Sequence, residues 1–431
     1  MKIQHIHVKN FRGFEDFELT FDEQFTLLVG GNGTGKTGIL SAVSVALGIW
    51  HVSSKGTGWR KIEPHEIRLR AVQSGDRLSF EPCKPVEITA DGRIDDESVT
   101  WTRMIRSDGQ RTTNANAKEA ITIIRRLVDL ATERLHPLPV LAFYGSGRAW
   151  IASNERTESR KANGGQVSRW DAYFDSLNER IRLPDLLNWF VLESAARDPS
   201  GRYRPGFETV RRAIQGCLPD CTEVSFDHQR LEPVFSIGGQ QRLFSNLSDG
   251  QKSMTALIAD IAIRAVTLNS FLLNDSTAAE ASSELPIVLR RTPGVVLIDE
   301  LDVHLHPSWQ RRVVSDLMRT FPRMQFICTT HSPQVIGEVS RRVYSLEDEQ
   351  AWRVERAFGL DSSRVLGEVM HSPARNTDIE GRLRDIGDLI DSEQFVEAKA
   401  RLAELAELIG EGDPEITRAQ AMMTFLEAPE A

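Results

Sequence analysis

The chain has no apolar run long enough to cross a bilayer. Its longest, such as "GVVLI" at 294–298, fall far short of the roughly 20 residues a spanning helix needs. The first residues, "MKIQHIHVKNFRGF", alternate apolar and polar side chains and lack the continuous core of a signal peptide. Cysteine is scarce, four in 431 residues, which excludes a disulfide scaffold and fits a reducing compartment. Cys217 and Cys221 in "CLPDC" have no second pair to complete a zinc site, so buried or incidental thiols are the favoured reading. Sustained heptads are absent too, which excludes a long coiled-coil arm. These absences imply a soluble, cytoplasmic protein with no membrane partner.

What is present is ordinary globular material, 40% apolar and 26% charged, and long enough for two or three domains. The net charge of −9 is unevenly spread. Residues 1–340 carry 41 basic and 41 acidic side chains, and residues 341–431 carry 11 and 20. An acidic tail does not seek phosphate; it suits a solvated face or a seat for a basic partner. The balanced body leaves direct contact with DNA open.

Chemistry is concentrated in three short stretches. "FTLLVG" (25–30) reads as a strand running into "GGNGTGKT", followed by the apolar helical segment "GILSAVSVALGIW". Gly30, Gly35, Lys36 and Thr37 fit G-x-x-x-x-G-K-[ST], a loop whose backbone N–H groups curl around phosphates at a helix N-terminus. Asn32, Gly33, Thr34 and Gly35 would line it, Lys36 would reach the β/γ-phosphates, and Thr37 would bind Mg²⁺. "GVVLIDE" (294–300) is a buried strand ending in two carboxylates: Asp299 is the second candidate Mg²⁺ group and Glu300 the candidate base for the attacking water. "QFICTTHSPQVI" (325–336) is a further apolar strand, and His331 at its end is placed to donate to the γ-phosphate. A fourth stretch, "LSDGQKSMTALIADIAIRA" (247–265), lies between the first two and opens a helix. Ser248, Gly250 and Gln251 sit at its start, with a hydroxyl and backbone N–H groups to offer phosphate. A plain capping turn is the alternative there.

In this order, "GGNGTGKT", "LSDGQ", "VVLIDE" and "TTHS" resemble the ABC-type ATPases of the RecF/SMC/OLD group, as does the opening "IHVKNFRGFEDFELTF". The resemblance implies an α/β fold: an ABC-type P-loop head with a mixed sheet and a helical signature lobe. It implies ATP and Mg²⁺ as ligands. It also implies a homodimer in which the signature of one head completes the nucleotide site of the other, with higher assemblies left open. "DELDVHLHP" is similar to the group's D-loop region, where Asp302 would contact the opposite subunit; His304 and His306 suit packing better than metal. The group's Q-loop glutamine has no clear counterpart. "FYGSGR" (143–148) offers Arg148, which suits a phosphate, a partner or a plain turn equally.

The 212 residues from Lys36 to Ser248 leave room for a strand-rich lobe, about 60–145, and a helical lobe, about 165–245, within a head of residues 1–345. "LNDSTAAEASSELP" (273–286) reads as a polar surface insertion. After His331 there is no D-x-D pair for a TOPRIM nuclease, and the ten histidines form no HNH-like set, so no intrinsic nuclease is expected. Residues 346–431 read as a helical module. Ile379, Leu383, Ile386, Leu389 and Ile390 recur at helical spacing, as do Phe395, Ala398, Leu402, Leu405 and Leu408. This module is similar to that of the Septu ATPase family (PtuA), which implies an anti-phage role and a separate HNH nuclease, PtuB-like, as partner, sometimes beside a retron. A RecF-like repair clamp on DNA is the competing expectation, and a capping helical hairpin the structural one.

Overall fold

Strands buried at every position have no face to give to water, so they belong inside a sheet covered on both sides. β3 (Phe25–Gly30), β13 (Gly294–Ile298) and β14 (Met324–Thr329) are mostly apolar and each buried throughout. With β9 (Val140–Tyr144), β15 (Arg342–Glu347) and β16 (Gln350–Val354) they build a six-stranded sheet in the order β16-β15-β3-β14-β13-β9. All neighbours are parallel except the β15–β16 hairpin. The C-terminal ends of β3, β13 and β14 therefore lie side by side, where α/β sheets bind ligands.

The computed structural model describes residues 1–54, 60–74, 76–133, 136–149, 168–195, 202–273 and 285–427. They fall into two units, Met1–Asp361 and Ser362–Ala431. Among the described residues no helix is long and apolar enough to cross a membrane. The polar insertion expected at 273–286 lies, from 274 to 284, outside the described residues.

In the first unit the P-loop helix, Lys36–Leu47, is buried at every position but Thr37. A helix without a polar face needs cover all round, and it has it. One side packs on the six-stranded sheet. The other packs on a second sheet of five antiparallel strands, β2-β1-β6-β7-β8. These are β1 (Lys2–Phe11), β2 (Phe14–Thr20), β6 (Val86–Ile94), β7 (Glu97–Ile105) and β8 (Thr113–Ala115). β6 alternates buried and half-buried residues along its whole length, the signature of one face on a core. The strand-rich stretch at 60–145 is thus no separate lobe. Its β6–β8 extend the N-terminal hairpin, and its β9 joins the other sheet. Only β4 (Leu69–Ser74) and β5 (Arg77–Pro82) form a sheet of their own.

The helical lobe also needs correction. Helices Leu183–Ala195 and Pro205–Cys217 are there. Residues 221–243 instead form a three-stranded antiparallel sheet: β10 (Cys221–Asp227), β11 (Glu232–Ile237) and β12 (Gln240–Leu243). β11 alternates half-buried and buried residues, and Gly238 and Gly239 take the positive φ that a tight hairpin turn demands. Cys217 ends the helix Pro205–Cys217, Cys221 opens β10, and both are buried. The Cys217 thiol donates to Thr320 Oγ1 at 3.2 Å, and burial pushes it up to about 12.

The expected head boundary at 345 would cut β15. Because β15 pairs with β16 from Val343↔Val354 to Glu347↔Gln350, the first unit runs on to Asp361. The described residues of the second unit open on two short helical turns, Ser362–Arg364 and Val365–Val369, and continue in three longer helices, Thr377–Asp391, Phe395–Ile409 and Pro414–Leu426. Asn376 and Asp413 cap the first and third of these longer helices by accepting from the N–H groups of Asp378 and Glu415. Ile386, Ile390, Ala398, Leu402, Leu405, Ile416 and Met423 make their core. With 7 basic and 15 acidic residues, positions 362–431 carry nearly all the net negative charge.

One buried ionic cluster holds the P-loop helix against the antiparallel sheet side. The Glu66 carboxylate, fully buried, accepts from Arg60 at 2.5 and 3.0 Å and from Arg12 at 3.1 Å. Buried Arg103 donates to the carbonyls of Val45, near the end of the helix, and of Arg60. Burial pushes Glu66 upward, but hydrogen bonding and attraction from Arg60, then Arg12, leave it below its ordinary 4.5. A lowered carboxylate contributes stability that is present above its unfolded value and lost as pH falls through the folded one. Glu66→Ala should therefore cost about 3 kcal/mol in urea unfolding at neutral pH. The gap to wild type should narrow as pH falls below 4.5. Equal stability at neutral pH would show the cluster to be dispensable.

Candidate nucleotide-binding site

β3 delivers the chain to the P-loop, and three glycines let it turn. Gly30, Gly33 and Gly35 all have positive φ. A Cβ on Gly30 would stand 2.6 Å from the Leu346 carbonyl oxygen, and one on Gly35 would stand 2.4 Å from the Phe14 ring. Both positions need glycine for space as well as for conformation. Gly31, Asn32 and Gly33 are exposed at the loop tip, with Thr34 and Gly35 half-buried behind them. Lys36 is 7% exposed and folds back so that Nζ donates to the carbonyls of Gly31 (2.7 Å) and Gly30 (3.0 Å). Burial lowers its pKa; the nearby carboxylates of Asp299, Glu300 and Asp302 oppose this.

Asp299 directly follows β13 and is 3% exposed. One of its oxygens is bonded from the P-loop helix and the other from the neighbouring strand end. Thr37 Oγ1 donates to Oδ2 at 2.8 Å, and Thr329 Oγ1, at the end of β14, donates to Oδ1 at 2.6 Å. The same Thr329 hydroxyl accepts the Glu300 N–H at 2.7 Å. Glu300 itself is left-handed, with φ of 50°, a conformation that costs a non-glycine residue free energy and clusters at functional sites. A hydroxyl and a carboxylate in contact, beside a buried ammonium and a glycine loop, are the oxygen donors that suit Mg²⁺ and a polyphosphate. The residues present fit both groups.

Asp302, expected to face a second subunit, commits Oδ1 to its own chain. It accepts from Thr330 Oγ1 at 2.5 Å and from the His331 N–H at 3.3 Å. His331, half-buried, thereby stands beside the Asp299–Glu300 turn. Behind it Ser332 Oγ donates to Gln310 Oε1 at 2.7 Å, and Gln310 Nε2 donates to the Leu305 carbonyl at 2.9 Å. Thr329, Gln310 and Ser332 were not singled out from sequence. His306 caps the short helix Pro307–Gln310, with Nδ1 accepting the Ser308 N–H.

The signature residues lie apart from this constellation. Ser248 caps the helix Asp249–Leu268 by accepting the Gln251 N–H at 3.3 Å, and Gln251 Oε1 accepts the Ser248 N–H at 3.0 Å, a reciprocal capping box. Gly250 is buried against the turn after β13; a Cβ there would meet the His304 carbonyl oxygen at 2.1 Å. One helical face further on, Asp260 Oδ2 accepts from Tyr144 OH (2.7 Å) and Arg264 Nε (2.7 Å). Tyr144 ends β9, and its carbonyl accepts the Asp299 N–H at 2.8 Å. β9 then enters a turn at Gly145, so no glutamine stands at this strand end; the Arg148 side chain lies outside the described residues.

Residues 5–218 match the family model described as an AAA domain, and residues 227–337 match "AAA domain, putative AbiEii toxin, Type IV TA system". A retron Ec83 probable ATPase from Escherichia coli is 25% identical over 93% of this chain and 82% of that protein. A Septu protein PtuA from Bacillus mycoides is 24% identical over 85% of this chain, which spans 45% of that longer relative. Among solved structures, the SMC head domain from Thermotoga maritima aligns at 15% identity with a TM-score of 0.43, covering 82% of this chain and 98% of that one. Two AAA-domain models in succession, and relatives aligned over most of its length, are consistent with an ABC-type ATPase of the RecF/SMC/OLD group.

Proposed function

We propose that this chain is the ATP-hydrolysing subunit of a cytoplasmic anti-phage complex, in which nucleotide-driven pairing of heads controls a separate nuclease. The observation that carries the ATPase part is the contact between Thr37, Asp299 and Thr329, which joins phosphate loop and acidic strand end. Lys36 exchanges its two loop carbonyls for phosphate oxygens. Thr37 and Asp299 hold Mg²⁺, which supplies charge neutralisation when bound. Glu300 accepts a proton from the attacking water, and Thr329 and Thr330 fix the turns that aim Glu300 and His331. The retron and Septu relatives support the defence setting. The acidic, separately folded second unit supports a partner seat on residues 362–431.

Lys36→Ala should weaken binding of a labelled ATP analogue about 10- to 100-fold, the range of one or two charge-assisted hydrogen bonds. Glu300→Gln should bind normally yet lose about 100-fold or more in turnover. Wild-type affinity in the first, or wild-type turnover in the second, would remove the assigned role.

Head pairing is tested by mixing. Ser248→Arg and Lys36→Ala homodimers should each be nearly inactive. After subunit exchange, about half the dimers are mixed and hold one intact site, so roughly a quarter of wild-type sites return. Full activity of Ser248→Arg alone would exclude a shared site.

The partner seat makes a separate prediction. A chain ending at Asp361 should keep ATPase activity while losing the nuclease that co-purifies with the full chain from its native operon. Retained nuclease would move the seat to the head.

A further inference from the structure

On the β4–β5 hairpin three large apolar side chains stand in solvent: Leu69, Leu78 and Phe80 are 55%, 63% and 62% exposed. The cross-strand register sets Leu69 opposite Pro82 and Ala71 opposite Phe80, so with Leu78 they share one face. Every residue of β5 is exposed, and the hairpin belongs to neither larger sheet. Two strands alone are marginal in water; three or more are needed for an independently stable sheet.

The outer edge of β5 has a definite polarity. The Cys83 N–H donates to the Arg68 carbonyl, on the β4 side, at 2.8 Å. Backbone polar groups alternate sides along an antiparallel strand, so those of Leu78 and Phe80 point away from β4. Pro82 has the same parity, and its missing N–H faces outward, the position in which an edge strand tolerates proline. Such an edge is a template for another strand.

We propose that β5 pairs antiparallel with β5 of a second copy of this chain, across a two-fold axis at Ser79. The segment "RLSFE" (77–81) is complementary to itself in this register. Leu78 meets the second copy's Phe80 as a hydrogen-bonded pair, using the outward groups of both residues. Arg77 meets the second copy's Glu81 as the closer, non-hydrogen-bonded pair, where opposite charges attract most. Glu81 lies 3.9 Å from Arg70 of its own chain, so the new pair extends an existing one. Registers centred on Arg77 or on Glu81 put like charges opposite each other. The product is a continuous four-stranded sheet, β4-β5-β5-β4. It uses no residue of the nucleotide site, so it forms without ATP. A chain with two different two-fold contacts assembles beyond a dimer.

The test uses the full chain without nucleotide. Sedimentation should show a concentration-dependent dimer. Arg77→Glu and Glu81→Arg should each weaken it about tenfold or more, because two symmetry-related pairs turn repulsive. The double variant, R77E with E81R, should restore it. Ser79→Cys should form an interchain disulfide under mild oxidation that the wild type, which keeps Cys83, does not. A monomeric wild type, a double variant no tighter than the singles, or Ser79→Cys chains that stay uncrosslinked would each overturn the proposal; the last is also the outcome if the edge serves a different protein.

Discussion

A carboxylate taken out of water must have its oxygens bonded, or its burial costs several kcal/mol. Asp299 meets this condition through two threonine hydroxyls, one from the first turn of the P-loop helix and one from the end of β14, and the local frame follows from it. To bring Thr37 to one oxygen, β3 must stop where it does and the P-loop must close tightly, which is why Gly30 and Gly35 have no room for a side chain. To bring Thr329 to the other, β14 must lie between β3 and β13, as the strand order has it. Thr329 has an acceptor left over, and the Glu300 N–H takes it, drawing the next residue into its left-handed turn. One buried charge thus sets the positions of the loop, the candidate metal-binding pair and the candidate base.

The same economy ties the signature helix to that turn. Gly250 lets the helix start approach the His304 carbonyl, and His304 belongs to the loop that leaves Asp299 and Glu300. Ten residues on, Asp260 grips Tyr144, whose carbonyl accepts from Asp299 itself. Arg264 balances the half-buried Asp260 charge and anchors to the Ala172 and Phe174 carbonyls. The helix therefore packs on the loop after Glu300 at Gly250 and reaches the backbone of Asp299 through Tyr144 at Asp260.

The parts legible in the sequence are those whose chemistry is local. "GGNGTGKT" and "GVVLIDE" announce a phosphate loop and an acidic strand end because glycine conformation and apolar continuity act over a few residues. The structure brings Lys36, Thr37, Asp299, Glu300 and His331 to one edge of the sheet. The tail helices were readable for the same reason: their apolar period is their own. What was not legible is pairing at a distance. β1 pairs with β6 in a register from Lys2↔Arg93 to Lys9↔Glu87, far apart in the chain, so the stretch at 60–145 reads from sequence as a lobe rather than as the completion of the N-terminal sheet. Thr329 was missed because a threonine at a strand end carries no signal until Asp299 is set beside it. The sheet at 221–243 had a signal that went unused: alternation through "EPVFSI", then Gly238-Gly239, then a second short run.

The signature stretch shows why a structural and a functional reading need not compete. In the capping box the Ser248 hydroxyl acts as an acceptor toward the Gln251 N–H. A serine hydroxyl also carries a donor, which the cap does not use, and Ser248 is exposed. Of the four N–H groups that the first turn leaves without helical partners, the capping box satisfies two, those of Ser248 and Gln251. The N–H groups of Asp249 and Gly250, between them, point along the axis with the positive end of the helix dipole. Capping fixes the direction in which these groups point, and anion binding needs them fixed. The reading of Ser248 as a plain cap and the reading of it as a phosphate-facing hydroxyl describe one geometry, in which the first prepares the second.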